Sequence, residues 1–376
     1  DGGTLQIGIG AVGDAVAQGL ILRQTQNEIF RPLSAALYAG DCEALACEDG
    51  RFEAGLYGTS EMLTDGFLQL EKADVLKREV DGAILHAAFF VECRDFYTAL
   101  RTMPEARRQR LAMMPVSFTN SLYGGVAERR QARVDARFIN SAMMVTLLGA
   151  VVSDATGDGQ VVSGVGGQFD FAEQAFALDG ARFIITINAV RTSRGKTVSN
   201  IVWSYPHTTI PRHRRDIVVT EYGIADLRGK SDADVIANLI NIADSRFQDE
   251  LLTTAKQAGK IAVNYEIPAG FRNNTPQRIA STLASARQAG LLPAFPFGTD
   301  FTEVEQRLLP ALELMKNASA SPGSVLKLAL RGARLSLQGQ LDHAALERMG
   351  LERPASLTDR LYRWMLAAAL NETAGD

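Results

Sequence analysis

Leu5-Gln6-Ile7-Gly8-Ile9-Gly10-Ala11-Val12-Gly13-Asp14 begins as an apolar run and turns into glycines spaced for a tight bend. Residues 4–10 have the pattern of a buried strand, and a helix is expected from about Asp14 to Leu22. A strand, a glycine turn and a helix in succession are the building unit of an open α/β sheet. The glycines formally match GxGxxG. A dinucleotide site also needs an acidic residue at the end of a second strand, and neither Glu28 nor Asp41 follows a convincing one. The better reading is a turn that lets a ligand or another backbone come close.

A second junction lies downstream. Leu56-Tyr57-Gly58-Thr59-Ser60-Glu61-Met62-Leu63-Thr64-Asp65-Gly66 sets one carboxylate, Glu61, between a strand expected near 52–58 and a helix expected near 62–72. A carboxylate there serves either as a dipole partner of the helix or as a nucleophile. Ser163-Gly164-Val165-Gly166-Gly167-Gln168 is the third feature. Its closely spaced glycines let backbone N–H groups converge, as an oxyanion requires, or simply make a sharp bend. Asn120, in a turn, can supply an amide donor, and Glu221, within the run 216–223 that reads as a strand ending in a turn, is a second candidate carboxylate.

The rest of the chain narrows the chemistry. It has 376 residues with 46% hydrophobic content, enough for a large core. A net charge of −4 argues against nucleic acid or a membrane surface as partner, and no apolar run is long enough to span a bilayer. Three cysteines, Cys42, Cys47 and Cys93, fit a reducing cytoplasm, and no metal site is expected. The four histidines, His86, His207, His213 and His343, are scattered, and His86 in an apolar strand reads as a core residue. An enzyme built from this chain would therefore rely on carboxylates and backbone amides. Residues 104–113 read as helical and 114–120 as strand into turn. The strands 183–189 and 199–205 are expected to pair as a hairpin about Ser193-Arg194-Gly195-Lys196, and a long amphipathic helix is expected after Ser231. Arg212, Arg214 and Arg215 read as a solvated turn or as phosphate ligands. Beyond about 260 the pattern is helical.

Five motifs taken together resemble the acetyl-CoA hydrolase/transferase family, which includes the 4-hydroxybutyrate, acetate and succinate CoA-transferases. They are Gly8-Ile9-Gly10-Ala11-Val12-Gly13-Asp14, Ser60-Glu61-Met62 with Asp65-Gly66, Ile139-Asn140-Ser141-Ala142, Ser163-Gly164-Val165-Gly166-Gly167-Gln168-Phe169-Asp170-Phe171, and Val219-Thr220-Glu221-Tyr222-Gly223-Ile224-Ala225-Asp226. The resemblance implies an α/β fold with an open mixed or parallel sheet of the class I CoA-transferase type. It implies a catalytic domain over 1–258, an accessory mainly helical region over 259–376, and the absence of the family's amino-terminal domain from this chain. It implies that Glu61 is the nucleophile, that Asn120, Gly166 and Gly167 form the oxyanion hole, and that Glu221 lines the same site. Gly8, Gly10, Gly13, Gly164 and Gln168 would then contact coenzyme A. The implied partners are an acyl-CoA and a small carboxylic acid, in a homo-oligomer. Acyl-CoA hydrolysis at the same site and a non-catalytic CoA-binding module are the alternatives. Met143-Met144-Val145-Thr146 carries no charge where family members often have an acidic residue, which leaves the substrate open.

Overall fold

The computed structural model describes residues 1–38, 47–193, 195–319 and 321–373. Strand β1 (Thr4–Ile7) is buried throughout and leads into helices α1 (Ala11–Thr25) and α2 (Asn27–Leu37). Glu28 sits in α2 rather than after a strand, and Asp41 and Cys42 lie outside the described residues. Then come β2 (Tyr57–Leu63), α3 (Asp65–Lys72), β3 (Leu85–Phe90), α4 (Arg94–Thr102), α5 (Glu105–Arg108) and β4 (Leu111–Met113). Two short helices, α6 (Val116–Thr119) and α7 (Val126–Ala132), precede β5 (Arg137–Ser141), β6 (Met144–Thr146), β7 (Val151–Val152) and α8 (Gln168–Ala177). After β8 (Arg182–Thr186), β9 (Val190–Ser193), β10 (Lys196–Ser199) and β11 (Ile201–Val202), β12 (Ile217–Thr220) and β13 (Gly223–Asp226) close the sheet.

Eight strands form the main sheet in the order β13-β12-β8-β5-β1-β2-β3-β4. Every neighbouring pair is parallel except β12–β13. The sheet therefore winds outward from its middle, toward β4 on one side and toward β13 on the other. Parallel strands need helical crossovers, and these bury both faces. One core gathers Leu5, Ile7, Leu63, Phe67 and Leu85 under α1 and α3. The other gathers Phe138, Phe183, Val218, Phe171 and Leu239.

Several local expectations change. The second strand starts at Tyr57 and carries Glu61 within it, whereas the pattern suggested a strand ending near 58. Gly58, Thr59 and Ser60 are buried between β1 and β3, so they show no alternation to mark the strand. Residues 104–113 split into α5 and β4, and 116–119 is helical because Pro115, at φ −56, sets up a helical start. A two-stranded hairpin does form about Gly195, but from β9 and β10, with Arg194 outside the described residues. The expected partner strand 183–186 instead lies inside the main sheet, and Ile201–Val202 pairs with β6. Helix α9 (Asp232–Asn241) is capped by Ser231 as expected but stops short, and α10 (Gln248–Gln257) follows.

Two compact units divide the chain. The first comprises 1–190 and 199–298, so residues 259–298, with α11 (Pro276–Gln288), belong to it. The second comprises 191–198 and 299–376. Its helices are α12 (Glu303–Ala318), α13 (Pro322–Leu337), α14 (His343–Arg348) and α15 (Leu357–Thr373). Gly332 lets α13 approach α15 closely, since a Cβ there would fall 1.6 Å from the Trp364 carbonyl oxygen. Among the described residues no helix is long and apolar enough to cross a membrane.

Candidate active site

The winding reverses between β1 and β5, and open α/β sheets bind ligands outside the carboxyl ends of the strands at such a point. A cavity of about 270 Å³ lies there, walled by the ends of β1, β2 and β5 and by residues 163–168. The first turn has to be glycine-rich. A side chain at Gly13 would place Cβ 2.0 Å from the Gly8 carbonyl oxygen, and Gly10 holds φ 101. Gly8 and Gly13 line the cavity, and Gly10 is not part of its wall.

Glu61 reaches the cavity from the second half of β2. The Gly167 backbone N–H donates to Glu61 Oε2 at 2.9 Å. Gly167 caps α8, so the carboxylate meets an N–H that the helix itself leaves unpaired, at the positive end of the helix dipole. A methyl group on Gly167 would fall 2.5 Å from Asn120 Nδ2, 2.7 Å from Glu61 Oε2 and 2.9 Å from Phe171 Cε2. Only glycine lets these three groups converge. Gly164, Gly166 and Gln168 complete the wall, with Gly166 at φ 55.

Asn120 is 5% exposed. Its Oδ1 accepts from Thr119 Oγ1 at 2.9 Å, and its side chain lies close enough to Asp170 to favour the ionised carboxylate. Asp170 is a site residue that the sequence reading does not single out, although its place in the first turn after Gly167 was a usable signal. Burial pushes its carboxyl up, the Glu61 charge pushes it further, and the nearby Asn120 side chain partly offsets both.

Arg133, 1% exposed, fastens this turn. Its guanidinium donates to the carbonyls of Phe118 and Ser121 and to Gln174 Oε1. Gln174, on α8, returns a bond from Nε2 to the Thr119 carbonyl at 3.3 Å. The carbonyls on both sides of Asn120 are thus tied to the helix that carries Gly167. Burial brings Arg133 down to about 10, still protonated at neutral pH. Nothing in the local sequence marks this arginine, because its partners lie far away along the chain.

Glu221 does not line the cavity. It follows β12, separated from β5 by β8, and its Oε2 accepts from the Ala189 amide at 2.8 Å. The arginine cluster is paired: Arg212 and Arg215 with Asp232, and Arg214 with Glu173. His86 is a buried core residue, bonded to the Tyr57 hydroxyl at 2.7 Å, and burial lowers its pKa. Among the described residues no group of three or more His, Cys, Asp or Glu side chains is arranged to hold a metal ion.

Residues 93–255 match the acetyl-CoA hydrolase/transferase C-terminal domain. The chain is similar to the 4-hydroxybutyrate coenzyme A transferase of Clostridium kluyveri, with 30% identity over 262 residues, 68% of this chain and 51% of that enzyme. It is similar to the butyryl-CoA:acetate CoA-transferase of Anaerostipes caccae, with 27% identity covering 66% of this chain and 54% of that one. The crystal structure of RipA from Yersinia pestis superposes with a TM-score of 0.53 at 25% identity, covering 69% of this chain and 50% of RipA. The chain spans about half the length of the curated relatives it matches. On these matches residues 93–255 are identified as an acetyl-CoA hydrolase/transferase C-terminal domain.

Proposed function

We propose that this protein transfers coenzyme A between an acyl-CoA and a carboxylic acid, with Glu61 as the covalent nucleophile. The observation that carries this reading is the bond from the Gly167 N–H to Glu61 Oε2 on the wall of a cavity at the sheet's switch point. Glu61 attacks the thioester carbonyl, and CoA leaves as the thiolate, giving a mixed anhydride. The thiolate then attacks the glutamyl carbonyl, which forms a glutamyl-CoA thioester and frees the first acid. An acceptor carboxylate attacks that thioester to give a second anhydride, and the thiolate returns to the new acyl group. Each attack puts charge on a carbonyl oxygen. We assign the Gly167 N–H and the Asn120 amide as the donors that receive it, a reading supported by their convergence near Glu61. A carboxylate is a modest nucleophile, so these donors and the binding energy of CoA must supply much of the rate.

The first unit holds this site, and we assign residues 299–376 an accessory role. A cytoplasmic location and a homo-oligomeric state belong to the same proposal. The test is incubation of the complete protein with acetyl-CoA, with and without a carboxylate acceptor, followed by borohydride reduction and peptide mass analysis. CoA or its reduction product at Glu61, passed on to the acceptor, supports the transferase. Release of free CoA without acceptor, and with no adduct, points to hydrolysis. Glu61→Gln is expected to abolish transfer, and unchanged turnover in that variant sinks the reading.

A further inference from the structure

Between β7 and α8 the chain leaves the cavity wall and returns to it. Ser153 and Ser163 both line the cavity, and the lobe between them is exposed from Gly157 to Val162. Past Ser163 come the glycines that end at Gly167, whose N–H meets Glu61. The lobe closes on itself. Ala155 and Val161 form an antiparallel bridge, and the Thr156 N–H donates to the Gln160 carbonyl at 2.9 Å. At its base the Asp154 carbonyl accepts from the Val162 and Ser163 N–H groups, at 2.8 and 3.3 Å. Asp154 thereby ties the outgoing chain to the residue that opens the glycine segment.

The Asp154 side chain ties the same point sideways. His207 Nε2–H donates to Asp154 Oδ1 at 3.0 Å, and Thr209 Oγ1 donates to the same oxygen. Thr209 Oγ1 also accepts from the Ser153 N–H at 2.9 Å, and the Thr209 and Ile210 N–H groups both donate to the Val151 carbonyl. Gly157 rests on the same segment, where a Cβ would lie 3.4 Å from Pro206 and 3.6 Å from Tyr205. Residues 205–210 are thus fixed to β7 and grip the lobe. The bonds from Thr209 and His207 hold the Asp154 carboxyl below its ordinary range. The glycine segment is therefore held at one end by α8 and at the other through Asp154.

We propose that Asp154 and His207 are positioning residues for the transfer reaction: they set the path of the glycine segment, and with it the direction of the Gly167 N–H toward Glu61. This rests on the Glu61 reading and adds a control to it. Imidazole is the side chain whose charge changes between pH 5 and 8. A protonated ring makes a charge-assisted bond to a carboxylate and a neutral ring a weaker one, so the anchor loosens as pH rises. The other titratable groups of the two segments are Asp158, bonded to Thr156 Oγ1, and Tyr205, packed against Gly157.

The test uses the complete protein with acetyl-CoA and butyrate, with kcat followed from pH 5.5 to 8. Asp154→Ala is expected to lower kcat about 10- to 100-fold and to leave KM for acetyl-CoA within about threefold of wild type. His207→Gln keeps an N–H donor that does not titrate, at a part-exposed position, and so is read even if Asp154→Ala does not fold. The ratio of wild-type to His207→Gln kcat is expected to fall at least about threefold between pH 5.5 and 8. His207→Ala should cost about tenfold at pH 5.5, most of which His207→Gln should restore. The proposal is overturned if the wild-type to His207→Gln ratio is flat with pH, or if folded Asp154→Ala loses Tm but keeps wild-type kcat, which would make the pair a support of the fold only. Absence of CoA on Glu61 in the wild-type protein is a different result. It removes the reaction itself, and this inference with it.

Discussion

Replacing Gly167 with alanine tests the geometry of the site with one methyl group. Gly167 has φ −80 and ψ 4, a conformation open to any L residue, so the backbone carries no new strain. The methyl group would instead meet Glu61 Oε2 at 2.7 Å and Asn120 Nδ2 at 2.5 Å. Ordinary contact begins at 3.4 Å, so Glu61 Oε2 has to retreat by about 0.7 Å, and Asn120 by more. Misplacing a reacting group by about 1 Å costs on the order of 100-fold, and losing an oxyanion donor costs about 100- to 1000-fold. The expected outcome is a fall in kcat of about 100- to 1000-fold, with KM for acetyl-CoA little changed and stability lower by about 1–3 kcal/mol from overpacking. Gly166→Ala is the matched control. Its methyl would lie 3.8 Å from Glu61 Oε2, without a clash, but at φ 55 it costs about 1–2 kcal/mol of backbone strain. Initial rates of CoA transfer and thermal unfolding of both variants provide the comparison. If Gly167→Ala keeps more than about a tenth of wild-type kcat, or both variants lose kcat by the same factor, the convergence on Gly167 is not what drives catalysis.

Other perturbations probe the layers around this point. Arg133→Met should lower kcat by about tenfold or more through a loosened Asn120 turn. A double-mutant cycle checks this: in an Asn120→Ala background the Arg133 effect on kcat should shrink, and full additivity would mean that Arg133 only supports the fold. Asp216 is fully buried and accepts from the Phe183 amide at 2.6 Å and from Arg182 Nε at 2.8 Å, with Arg228 as a further partner. Asp216→Ala should therefore cost about 3–5 kcal/mol in denaturant unfolding, and a cost below about 1 kcal/mol would contradict the reading. Asp14 has its pKa raised first by burial and then by Asp65. A carboxyl raised on folding contributes stability below its unfolded pKa and loses it as pH rises through the folded value. Asp14→Asn should accordingly raise Tm at pH 7 relative to wild type, and the gain should fade as pH falls toward 3.8. A gain that is the same at both pH values would assign it to something other than charge.

The sequence by itself determined the class of fold and the surroundings of Glu61. Strand–glycine–helix at Leu5–Asp14 and the glycines at 164–167 are local signals, because a tight turn must be made by the residues within it. The buried His86 and the Ser231 cap were legible for the same reason. The exact span of β2 was not, since a strand buried on both faces loses the alternation that would show where it begins. The tertiary structure alone decided which distant groups meet. It brought Gly167 to Glu61 across 106 residues, put Asp170 against Asn120, and turned Arg133 inward to hold that turn. It also left Glu221 outside the cavity, because the strand order inserts β8 between β12 and β5. Strand order and side-chain convergence depend on long-range packing, in which each residue answers to partners that its sequence neighbours do not reveal.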